Sequence, residues 1–95
     1  MSNKFDATEA RMGLENLHGT ISRGDGFEAD RELERLKPLA EKSTLPAFNR
    51  KAIQDMQDAL NKEGLPKVSY QIIKIIDKMD AEIGANPSGR ILSPE

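Results

Sequence analysis

Val68-Ser69-Tyr70-Gln71-Ile72-Ile73-Lys74-Ile75-Ile76-Asp77-Lys78-Met79-Asp80-Ala81-Glu82-Ile83 is the stretch whose reading decides the fold. It holds the densest run of large aliphatic residues in the chain. At 100° per residue, Ile72, Ile75, Ile76, Met79 and Ile83 share an arc of roughly 100°, with Lys74, Lys78 and Glu82 opposite. A strand does not fit, because the alternation of Val68, Tyr70 and Ile72 breaks at Ile73 and never resumes. The spacing predicts a helix over 69–84, with Ser69 as its N-cap and Val68 stapled onto Ile73. So wide an apolar face needs cover on more than one side, which puts this helix at the centre of the expected fold.

Working back along the chain, Gly64-Leu65-Pro66 is a strong stop: a glycine suited to a helix C-terminus, then a proline that cannot continue one. The helix before it is expected over 46–63, with Pro46 in its first turn and Lys62 in its last. Its stripe is Phe48, Ala52, Ile53, Met56, Ala59 and Leu60. The link Glu63-Gly64-Leu65-Pro66-Lys67 is short enough to make these two helices an antiparallel hairpin. Upstream, Asp25 with Glu28 reads as a capping box opening a helix over 26–42, striped by Ala29, Leu33, Leu36, Leu39 and Ala40. Pro38 predicts a kink or break at Lys37-Pro38. Residues 19–26, with three glycines, read as a loop. Asp6 with Glu9 opens the first helix, expected over 6–19, with Phe5 stapled on Ala10 and a face of Ala7, Ala10, Leu14, Leu17 and Ile21. Gly13 inside it costs about 1 kcal/mol relative to alanine, and Gly19 is its expected stop.

The expected fold is therefore all-α: a small four-helix bundle with a C-terminal helical hairpin. Residues 1–84 make a single helical domain and 85–95, with two prolines and one glycine, a flexible tail. Ninety-five residues hold one modest core. Aromatic content of 4% suits aliphatic helix packing better than a β-sandwich. No apolar run approaches the length of a membrane span and the first residues show no signal-peptide core, so a cytoplasmic protein with no membrane contact is expected.

Charge and residue content narrow the chemistry. With 32% charged residues and a net charge of −2, the chain is not built as a general polyanion binder. The absence of cysteine excludes disulfides and thiolate metal sites. His18 is the only histidine, and Asp77 and Asp80 lack the oxygen-rich loop that calcium requires. No metal, cofactor or small-molecule substrate is expected. A serine paired with His18 as nucleophile and base stays open on residue content alone, but no Gly-x-Ser-x-Gly elbow frames one, so the chain reads as non-catalytic. Arg23-Gly24-Asp25 matches the adhesion tripeptide that integrins read; it reads better as a turn leading into the Asp25 cap. Gly24 and Gly26 do not make a phosphate loop, for want of the Gly-Lys-Ser/Thr ending.

Two binding readings remain. The hairpin of the last two helices is the one candidate for a helix-turn-helix. Its link is long for that motif, and an outward face mixing Lys74, Asp77, Lys78 and Glu82 weakens phosphate contact, so nucleic acid is disfavoured. The preferred reading is a protein-binding module acting on another protein or on itself, as a small regulator, adaptor, inhibitor or chaperone. Its motive is surplus apolar surface: Ile73 lies about 100° round the helix from Ile72, Met12 lies off its stripe, and Phe27, Ile91 and Leu92 have no evident home.

The second half of the chain also resembles a known family. Leu36-Lys37-Pro38-Leu39-Ala40, the break at Leu45-Pro46, Gln57-Asp58-Ala59-Leu60 and Ile75-Ile76-Asp77-Lys78-Met79-Asp80-Ala81-Glu82-Ile83 are similar to the helical hairpin of type III secretion needle subunits. That resemblance implies a small helical subunit that polymerises and needs a chaperone. The chain departs from the pattern in lacking an N-terminal Trp-containing turn and in carrying a Pro/Gly segment after its last helix.

Overall fold

A computed structural model describes residues 5–85 as four α-helices, and no strand occurs among the described residues. The helices are α1 (Ala7–Ser22), α2 (Gly26–Glu41), α3 (Arg50–Lys62) and α4 (Leu65–Ala85). Each packs on its two neighbours in the ring α1–α2–α3–α4, closed by α4 on α1. Cross-contacts fix the directions. Thr20 meets Glu32 while Gly13 lies under Leu36 across α1 and α2; Gln57 meets Glu34 while Arg50 meets Glu41 across α2 and α3. His18 meets Ser69 while Arg11 meets Asp80 across α1 and α4. Numbers rise on one helix as they fall on the other, so the four run up-down-up-down. Residues 86–95 of the expected tail, Ile91 and Leu92 among them, lie outside the described residues.

The caps explain most of the boundaries. The Asp6 carboxylate accepts the N–H groups of Thr8 and Glu9 and starts α1; Asp25 accepts the N–H of Glu28 and starts α2. Phe5 does more than staple: its ring stacks on Phe48 at a centroid distance of 5.8 Å, tying the entry of α1 to the turn before α3. Gly19 does not stop α1. The next turn buries Thr20 and Ile21, which outweighs the small backbone penalty, and the chain turns instead at Gly24, whose φ of +80° suits glycine.

Pro38 does not break α2, which runs on to Glu41. Beyond the proline, Leu39 and Ala40 are both buried, and their burial offsets a single lost backbone bond near the helix end. The start of α3 is Arg50 rather than Pro46. Asn49 supplies a side-chain acceptor to the N–H of Ala52 at 2.8 Å, which proline cannot do. Pro46 instead opens a turn that drives Phe48, fully buried, into the core ahead of the helix.

The last junction is tighter than expected. Gly64, at φ +96°, donates its N–H to the Ala59 carbonyl at 2.9 Å and closes α3. α4 then begins at once with Leu65, and Pro66 sits in its first turn, where a missing N–H costs nothing. Ser69 is therefore not a cap but an interior helical residue. Val68 cannot staple onto Ile73, since Val68 is buried and Ile73 is 49% exposed.

The core is built from Leu14, Leu17, Leu33, Phe48, Ile53, Met56, Val68, Ile72 and Met79 with smaller neighbours. The predicted stripes of α1 and α2 are buried almost whole. α4 differs: of its expected arc only Ile72 and Met79 are fully buried, while Ile75, Ile76 and Ile83 are half-buried. It occupies one corner of the ring rather than its centre, and a corner helix has only two neighbours to hide against.

Candidate functional site

Among the described residues, the α1–α4 seam holds the arrangement that most resembles catalytic chemistry. Ser69 Oγ lies 2.9 Å from His18 Nε2, both partly buried. A working nucleophile–base pair also needs a group to orient the ring and donors aimed at a developing oxyanion. Among the described residues no carboxylate meets the second ring nitrogen of His18. Ser69 is the fifth residue of α4, so its own N–H and those that follow it enter the helical ladder. The pair is a cross-helix tie, repeated nearer the other end of the seam by Arg11, whose Nε and Nη2 donate to the two carboxylate oxygens of Asp80 at 3.0 and 3.1 Å. That bidentate bond raises the Arg11 guanidinium above its ordinary value. Among the described residues no cluster of three or more His, Asp or Glu side chains could hold a metal ion.

The tripeptide Arg23-Gly24-Asp25 forms the α1–α2 turn, and both charged side chains are engaged in it. Arg23 donates to the Thr20 hydroxyl at 3.2 Å, and Asp25 caps α2.

Met12, Phe27 and Ile73 are exposed as their positions suggested, at 57%, 76% and 49%, but they stand on three different helices. Met12 is on the solvent side of α1, opposite its buried stripe. Phe27 is on the first turn of α2, where the Arg31 guanidinium lies 5.9 Å from its ring centroid and covers part of its face. Ile73 has a neighbour that the sequence reading missed. Tyr70, three residues before it on α4 and therefore beside it, is 58% exposed.

Around the corner from Ile73, an open groove of ≈ 470 Å³ runs between α3 and α4. Ala47, Ala52, Met56 and Ile75 supply apolar lining, and Tyr70 stands at its edge. Lys51, Lys67, Lys74 and Lys78 also line it, against the single carboxylate of Asp55. Lys51 is paired with Asp55 at 3.2 Å. Lys67, Lys74 and Lys78 form no ion pair among the described residues; the Lys74 ammonium lies 5.4 Å from the Tyr70 ring centroid. Gln71, another lining residue, keeps its Oε1 buried without a hydrogen-bond partner among the described residues.

The expected mixture of charges on this face is sorted by the tertiary structure. Glu82 turns to α3's approach, where its Oε1 accepts the N–H of Ala47 at 3.2 Å. Lys67, Lys74 and Lys78 fall within an arc of roughly 40° and are left as a positive row. That spacing of i, i+7 and i+11 was present in the sequence, masked by Asp77 and Glu82 between and after the lysines. Among the described residues no helix is long and apolar enough to cross a membrane. No protein-family model, no curated protein and no solved structure matches this chain.

Proposed function

We propose that this chain is a non-catalytic protein-binding module whose contact face is the outer side of α4. One observation carries the reading: Ile73, in the middle of the most aliphatic helix, stands 49% exposed beside the 58% exposed Tyr70. A pair of adjoining large apolar side chains on a rigid helix is the kind of anchor that association buries, at roughly 1.5–3 kcal/mol for a fully covered aliphatic side chain. Neither residue contributes a fully buried side chain to the core, so a folding role does not account for them. The His18–Ser69 tie adds rigidity to the same helix without supplying a reaction.

The test is Ile73→Asp in the full chain. The variant keeps the helical circular dichroism signal and melting temperature of the parent but loses the complex or dimer seen by size-exclusion chromatography with light scattering. A parent protein that stays monomeric at high concentration and captures no partner overturns the reading.

A further inference from the structure

Resting on that binding reading, we infer that the partner is an acidic amphipathic helix, laid along the groove between α3 and α4 with its carboxylates on Lys67, Lys74 and Lys78. Three features of the groove converge on this occupant.

The first is charge. A chain with net charge −2 gathers four lysines against one carboxylate along this groove, and three of those lysines have no ionic partner among the described residues. Elsewhere Arg35 pairs with Glu28, Lys37 with Glu34, Arg50 with Glu41 and Arg11 with Glu15 and Asp80, while Arg23 bonds the Thr20 hydroxyl, Arg31 lies over the Phe27 ring, and Lys42 and Lys62, also without an ion pair among the described residues, do not line this groove. The same pairings make α2 a poor occupant from a second copy, because the carboxylates of Glu28, Glu34 and Glu41 are already engaged.

The second is spacing. Lys67, Lys74 and Lys78 are two turns and then one turn apart, a row about 16 Å long at 1.5 Å per residue. Carboxylates at i, i+7 and i+11 of a partner helix repeat the same intervals, so a helix laid alongside meets all three. An extended peptide would bring its side chains to one face every second residue, out of step with this row.

The third is the apolar lining of Ala47, Ala52 and Ile75 over the buried Met56, with Tyr70 and then Ile73 leading out of the groove. An amphipathic helix sets its apolar stripe on such a floor and its charged flank on the rim. Nucleic acid would use the lysines but leave the apolar floor uncovered and would meet Asp55 with its phosphates.

The probe is a set of three fluorescein-labelled designed helices, each roughly 18 residues long, sharing one leucine stripe and carrying Glu, Gln or Lys on the flanks. Binding to the full chain is read by fluorescence anisotropy and mapped by amide chemical shifts. The Glu helix binds at least ten-fold tighter than the Gln helix, and the Lys helix does not bind. Shifts are confined to α3 and α4, and affinity falls several-fold between about 50 and about 300 mM NaCl. The triple variant Lys67→Glu, Lys74→Glu, Lys78→Glu loses at least ten-fold, while the corresponding arginine triple keeps the affinity. Equal binding of all three helices, shifts mapping to Met12 or Phe27, absence of binding by the Glu helix, or preference for a labelled DNA duplex overturns the inference. If the lysine variants leave a native complex intact while Ile73→Asp abolishes it, only this inference falls. If Ile73→Asp leaves it intact as well, the binding reading of the α4 face falls with it.

Discussion

α2 and α4 stand diagonally across the ring and use their residues in opposite ways. α2 carries the fewer large aliphatics, yet Ala29, Leu33, Leu36, Leu39 and Ala40 are all buried, and three of its carboxylates are ion-paired. α4 carries an isoleucine run, yet Ile75, Ile76 and Ile83 are only half-buried, Ile73 and Tyr70 are exposed, and three lysines are unpaired among the described residues. Apolar content and burial are therefore different properties of a helix. α2 buries its apolar residues in the fold, whereas α4 leaves part of its own at the surface, and the proposed contact face rests on that difference.

Two adjacent isoleucines of α4 separate its buried side from its outer side. Ile72→Ala should cost about 2–5 kcal/mol in chemical denaturation, as emptying a fully buried site does. Ile73→Ala should stay within about 0.5 kcal/mol. Equal costs would mean that the outer face of α4 is part of the core after all. Leu33→Ala on α2 belongs with Ile72→Ala, at about 2–5 kcal/mol, since Leu33 is fully buried.

A smaller effect separates two glycines of α1. A Cβ on Gly13 would stand 2.7 Å from Leu36 Cδ2, so this glycine lets α2 approach closely. Gly13→Ala gains roughly 1 kcal/mol of helix propensity but overpacks a buried leucine, typically at 1–3 kcal/mol, for a net loss of about 1 kcal/mol. At Gly19 the nearest atom is the end of the Arg23 side chain at 3.9 Å, and Gly19→Ala should stabilise by about 0.5–1 kcal/mol. Thermal melts of the two variants should shift in opposite directions.

The smallest effect lies at the edge of α2. Gln57, buried on α3, donates to Glu34 at 2.8 Å, and Lys37 adds a second bond; together they hold the Glu34 carboxyl below its ordinary value. The resulting stabilisation is complete above the ordinary carboxylate value and fades as pH falls through the lower folded value. In Gln57→Leu the Glu34 carboxyl should titrate closer to that ordinary value by NMR, and the acid-side loss of stability should shrink.

The periodic stripes were legible in the sequence because each buried residue follows from spacing: Ala10, Leu14, Leu17 and Ile21 on α1, and Ala29 through Ala40 on α2. The starts of α3 and α4 were not. Pro46 and Ser69 are each acceptable at a helix start on local grounds, but Asn49 offers a better acceptor than Pro46, and Pro66 starts α4 one turn before Ser69. Competition between nearby caps is settled by which turn also buries a side chain, here Phe48 and Val68. Half of the candidate surface was legible for the same reason. Ile73 leaves its stripe by an angle that counting reveals, whereas the lysine row emerges only once Glu82 is drawn to the Ala47 N–H across the α3–α4 boundary.

The Arg11–Asp80 bond sets the beginning of α1 and the closing turns of α4 at one pole of the bundle, while the turns at Gly24 and Gly64 occupy the other. Polypeptide attached before α1 or after α4 thus leaves from a common base, and the two glycine turns form a crown with nothing tethered to it. A linker joining α4 back to α1, with fresh ends cut at Gly64, would reorder the helices along the chain while leaving all four pairings in place.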